Sequence, residues 1–156
     1  MKKLAYSICL AGVLALPGVL QARPVTLTTQ LKNYSGDGAY LAIYVTDAAG
    51  KYQKTLWVAG KKTKYYKNLR DWARGSGMRA SEFDGVSGAS VGSGKTLKVT
   101  VELADALIDA GYEIRIDTAV EDERDNPAEL RVPLTSANKT KPTAGRGYVK
   151  AFSFDM

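Results

Sequence analysis

The stretch Asp84-Gly85-Val86-Ser87-Gly88-Ala89-Ser90 reads D-x-x-S-G-A-S, a carboxylate and two hydroxyls set among small residues. A serine hydroxyl with small neighbours is a nucleophile that a bulky partner can approach closely. The same residue types build surface turns, Asp and Ser by bonding nearby backbone and Gly by its freedom of φ. A group-accepting hydroxyl and a plain turn therefore both stand. Immediately downstream, Ala89 to Thr96 satisfies the loose phosphate-loop pattern A-x-x-x-x-G-K-T. Such a loop follows a buried strand and opens a helix. Here Arg79 to Asp84 is polar and Leu97 to Leu103 alternates as a strand, so a nucleotide hydrolase is excluded. The acidic run Glu121 to Asp125 lacks the spacing and the turn glycine of an EF-hand calcium loop, and reads as solvated. No histidine is present, and Cys9, the one cysteine, lies near the N-terminus. That removes histidine triads, thiol catalysis, histidine metal sites and disulfides from the mature chain. No spaced carboxylate pair suggests glycoside hydrolysis, and stand-alone catalysis is not expected.

Lys2 and Lys3 precede an uncharged run from Leu4 to Leu20 that is broken by Pro17 and Gly18. This is the pattern of a secretory signal peptide over residues 1–22, cut after Ala22, followed by a single β-sandwich domain over 23–156. The alternative, a retained membrane anchor, fits poorly with a short run ending in helix breakers. The expected location is the periplasm, with no membrane span after signal removal. Without Lys2 and Lys3, 20 of the 22 basic residues face 16 acidic ones, a net charge of about +4 against +6 for the whole chain. That mild excess does not call for a nucleic acid partner.

The mature chain reads as a series of short strands. Expected strands run over Val25–Leu31, Tyr40–Thr46, Tyr52–Val58, Leu97–Leu103, Tyr112–Thr118, Leu130–Leu134 and Tyr148–Phe154. Both faces of Tyr40–Thr46 are largely apolar, which predicts a central strand. Pro133 marks an edge or bulge. Between Lys61 and Arg74 the period changes: Tyr65, Leu69 and Trp72 fall on one helical face, flanked by Lys61, Lys64, Lys67, Arg70 and Arg74, and Gly75-Ser76-Gly77 ends the helix. That basic face is either a patch for a phosphate or an acidic partner, or a solvated surface. Together these predict a mainly β fold, an antiparallel immunoglobulin-like β-sandwich with one inserted helix.

The stretch Asp84 to Ser90 resembles the acceptor motif D-x-x-S/T-G-A-S/T on which FAD:protein FMN transferases attach a flavin through a phosphoester. The resemblance implies that Ser90 bears FMN, that Gly88 and Ala89 give access, and that Asp84 and Ser87 are read by the transferase or fix the backbone. Large aromatic faces suit a flavin ring, which makes Trp57, Tyr65 and Trp72 candidate contacts as well as candidate core. More widely, Leu56-Trp57-Val58-Ala59-Gly60-Lys61-Lys62, Tyr65, Leu69, Asp71-Trp72 and Arg74 resemble the signature of a periplasmic family, domain of unknown function 2271. Gly111-Tyr112-Glu113-Ile114-Arg115-Ile116 resembles a strand of the immunoglobulin-like repeat of flagellar hook-capping proteins. The chain departs by having Ser90 where Thr is usual and by lacking a Trp-Asp-Gly turn after Leu97. The family resemblance implies a periplasmic FMN-carrying electron-transfer protein that works with an FMN transferase and a PepSY-type membrane reductase. The alternative is a cofactor-free exported binding or accessory module.

Overall fold

The computed structural model describes residues 20–156. The expected leader lies outside these residues, apart from its last three positions. Strand β1 (Ala22–Leu31) turns Val25, Leu27, Thr29 and Leu31 inward and Thr26, Thr28 and Gln30 outward, as period-two alternation dictates. It is the middle of a three-stranded sheet, between β5 (Thr96–Ala104) and β8 (Val149–Asp155). The second sheet has the order β4-β3-β2-β6-β7, with β2 at Tyr40–Thr46, β3 at Tyr52–Ala59, β4 at Ser87–Gly88, β6 at Glu113–Ala119 and β7 at Asn126–Pro133. All pairings are antiparallel except that of β3 with β4. β1 to β7 take the places of strands B, C, C′, C″, E, F and G of a variable-type immunoglobulin sandwich, and the C-terminal β8 fills the place of strand A.

The apolar two-faced β2 is central, as its sequence predicts. Leu41, Ile43 and Val45 point into the core between the sheets, where they meet Leu27, Ile114, Ile116, Phe152 and Phe154. Ala42 and Tyr44 point the other way, into a second cluster with Val58, Tyr66, Leu69 and Trp72. The register with β3 shifts between Ile43 and Tyr44, so Leu56 and Trp57 both turn toward the inter-sheet core. β7 starts four residues before the expected Leu130. Asn126 pairs with Thr118 across a shift in register, and the chain bends at Ala128, where φ is +41°.

The inserted helix proves to be two pieces, a 3-10 turn over Thr63–Asn68 and α1 over Arg70–Ser76, stopped by a left-handed Gly77. A 3-10 segment repeats every three residues, so the buried row is Tyr66, Leu69 and Trp72, and Tyr65 is left half-exposed beside it. These pieces cover the outer face of the five-stranded sheet. Tyr66, Trp72 and Phe83 pack edge-to-face, with centroids 5.2–6.2 Å apart. Under them, fully buried Asp117 accepts hydrogen bonds from Tyr44 Oη (2.9 Å), Trp72 N (2.9 Å) and Ala128 N (2.7 Å), joining β2, α1 and β7. Among the described residues no helix is long and apolar enough to cross a membrane.

Candidate functional site

The stretch Asp84 to Ser90 is half turn and half strand. A 3-10 turn at Ala80–Glu82 leads into Phe83, whose ring joins the Tyr66–Trp72 cluster. Glu82 ties the same turn to β3. Tyr52 Oη donates to Glu82 Oε2 (2.5 Å), so the Tyr52–Thr55 contact at 2.6 Å has Thr55 as donor, and Trp72 Nε1 donates to Thr55 Oγ1 (2.9 Å). The Tyr52 bond, with that from Arg79, holds the Glu82 carboxyl below its usual range. Burial and the same bond push the Tyr52 hydroxyl up to about 12. Gly85, at φ +78°, turns the chain. Val86 O and Gly88 O then accept from Val58 N (2.9 Å) and Gly60 N (2.8 Å), satisfying the outer edge of β3. Three residues on, Val91 bridges Ala39 with bonds of 2.7 and 2.9 Å.

Ser90 sits between these two anchors and is an exposed residue. Gly38 makes room for it, because a Cβ there would stand 2.5 Å from Ser90 Oγ. Ser90 lines a pocket of about 520 Å³ at the end of the five-stranded sheet where β4, β3 and β6 stop and β2 begins. Ala89 and Ser90 follow β4, Lys61 and Lys62 follow β3, Gly38 and Tyr40 open β2, and Glu121 follows β6. Tyr65 closes one side. Its hydroxyl donates to Glu121 Oε1 (2.7 Å), and its ring meets that of Tyr40 edge-to-face at 5.6 Å. Tyr40 lies flat over Gly60, where φ is +127° and any side chain would strike the ring. The Tyr40 hydroxyl accepts from Lys62 N at 3.1 Å.

The structure sorts the expected site residues. Ser90, Ala89 and Tyr65 share the pocket. Asp84 and Ser87 are exposed and do not line it. Asp84 bonds through its backbone, N–H to Ala80 O, and its carboxylate makes no hydrogen bond among the described residues, so it does not fix the turn. Gly88 has a structural reason to be small: a Cβ there would lie 2.9 Å from the Trp57 ring. Two expectations are corrected. Trp72 is fully buried in the second cluster and offers no face to a ligand, because α1 folds onto the sheet. Trp57 packs against the inter-sheet core beneath Gly88, with its Nε1 buried, and does not line the pocket. Sequence reasoning missed Tyr40 and Lys62 as site residues; Glu121 is the exposed loop residue it expected, and it also lines the pocket.

The family model described as "Predicted periplasmic protein (DUF2271)" matches residues 22–151, nearly the whole described chain. The chain belongs to the DUF2271 family. As a DUF2271 member it is a periplasmic protein, in keeping with the leader expected at its N-terminus. No curated protein and no solved structure matches it.

Proposed function

We propose that this DUF2271 protein is a periplasmic electron-transfer protein that carries FMN esterified to Ser90. The observation that carries the reading is Ser90 itself, an exposed residue held between two backbone anchors in the lining of a pocket. A tethered cofactor needs a reachable attachment point that does not wander, and the β4 pairing with the Ala39–Val91 bridge provides one. About 520 Å³ lies within the range of small-molecule sites, and aromatic faces, lysines and a hydroxyl suit a phosphorylated ring.

Attachment balances as a phosphoryl-type substitution. Ser90 Oγ forms a bond to the FMN-side phosphorus of FAD, the pyrophosphate P–O bond breaks, AMP departs, and the hydroxyl proton goes to solvent. An FAD:protein FMN transferase supplies the machinery, its metal ion neutralising the phosphate charge, and Asp84 and Ser87 are exposed for it to read. When bound, the flavin supplies the redox chemistry, while the chain sets its position and exposure. A PepSY-type membrane reductase is the electron donor or acceptor in this reading.

Intact mass after co-expression with an FMN transferase tests it. Wild type should gain one FMN less one water, and Ser90→Ala should gain nothing. An unmodified wild type, or a gain that survives Ser90→Ala, rejects the reading and leaves a cofactor-free exported module.

A further inference from the structure

We infer that the pocket beside Ser90 is a non-covalent binding site for a phosphorylated aromatic ring of the mononucleotide class, with Lys61 and Lys62 reading the phosphate and the Tyr65–Tyr40 corner reading the ring. This deepens the reading above but does not require Ser90 to be esterified. The corner is built before any ligand arrives. Tyr40 is held by its seat over Gly60 and by the bond from Lys62 N. Tyr65 is held by Glu121 at 2.7 Å, and the two rings meet at 5.6 Å. Rigid aromatic walls bind flat rings at little entropic cost.

The charges point the same way. Arg70 and Arg74, further along the helical segment, and Arg79 beyond its end are paired with Asp125, Asp71 and Glu82 respectively. Lys61 and Lys62 are exposed and enter no ion pair among the described residues. Two acids, Asp37 and Glu121, share the rim with Lys61 and Lys62, and Glu121 keeps its charge while it accepts from Tyr65, so the lining itself is balanced. Lys64 lies 4.7 Å from the Tyr65 ring centre and adds positive charge on that wall. The cleft lined by Arg70, Glu123, Arg124, Asp125 and Arg146 also carries cations, but it has no aromatic wall.

Ser90→Ala protein reads the pocket alone. Free FMN, riboflavin and inorganic phosphate are titrated into it, with flavin fluorescence and calorimetry as readouts. FMN should bind about tenfold or more tighter than riboflavin, since charge-assisted contacts to the phosphate are the difference. Replacing Lys61 and Lys62 together by Ala should bring FMN down to riboflavin's affinity. Tyr65→Ala should weaken both flavins, and phosphate should compete with FMN only. Equal affinity for FMN and riboflavin, a preference that survives loss of both lysines, or no binding of either flavin overturns the inference. The mass of wild type is a separate measurement: an unmodified chain whose pocket binds FMN loses the ester and keeps the site.

Discussion

Asp117→Asn removes one acceptor from the buried junction of β2, α1 and β7. Asp117 Oδ1 accepts from Tyr44 Oη and Ala128 N, and Oδ2 accepts from Trp72 N, all in a site with no solvent exposure. An amide has one carbonyl and one NH₂. With the NH₂ at Oδ1 it can donate to Tyr44 but confronts the N–H of Ala128; with the NH₂ at Oδ2 it confronts the N–H of Trp72. Either way one buried backbone donor is left unpaired, at a cost of about 1–3 kcal/mol. A protonated aspartate does not share the defect, because its hydroxyl oxygen can donate to Tyr44 and still accept from Ala128. Burial raises the Asp117 carboxyl above its ordinary 3.8, outweighing the three bonds, and the neighbouring Asp71 charge adds to the rise. A raised native value means stability that is fully present below 3.8 and lost as pH rises through the native value. Asparagine has no such dependence. The stability gap between wild type and Asp117→Asn should therefore be widest in acid and narrow as pH rises through that window. Urea unfolding of both proteins from about pH 3 to pH 7 measures it. Glu82, Asp105 and Asp109, whose carboxyls are all held low, tilt both curves the other way and cancel in the difference. Equal stability at every pH, or a gap that widens as pH rises, would refute the reasoning.

Gly60→Ala forces a Cβ onto a backbone at φ +127° and into the Tyr40 ring. It should cost at least about 2 kcal/mol in denaturant unfolding, and a loss near zero would mean that the ring does not sit there. Gly38→Ala has no such backbone strain but places a Cβ 2.5 Å from Ser90 Oγ. It should leave stability within about 1 kcal/mol while lowering the flavin-bearing fraction seen by intact mass. Tyr52→Phe removes the largest of the contacts that hold the Glu82 carboxyl low. Glu82 should then titrate closer to 4.5 by NMR, and its contribution to stability, present above that value and lost as pH falls through the native one, should shrink.

What could be read in advance follows from how far each signal reaches along the chain. The two apolar faces of Tyr40–Thr46 announce a strand covered on both sides, and the structure covers it with the other sheet on one face and the helical segment on the other. That same cover hides Asp117. On β6 it alternates with Ile114 and Ile116 and so reads as solvent-facing, but α1 lies over that face. The helical segment was legible as a change of period, yet a 3-10 repeat of three shifts the buried row from Tyr65 to Tyr66 and turns Tyr65 toward the pocket. β4 is two residues long, too short for any alternation to reveal, and it exists because Val58 N and Gly60 N need acceptors at the edge of β3. The pocket is the extreme case. Gly38, Lys61, Ser90 and Glu121 are neighbours only because β2, β3, β4 and β6 present their termini at one end of one sheet. A motif can mark Ser90 as a hydroxyl with small neighbours, but its chemistry depends on what the other three strand ends bring within reach of it. Strand order decides that, and local pattern does not encode strand order.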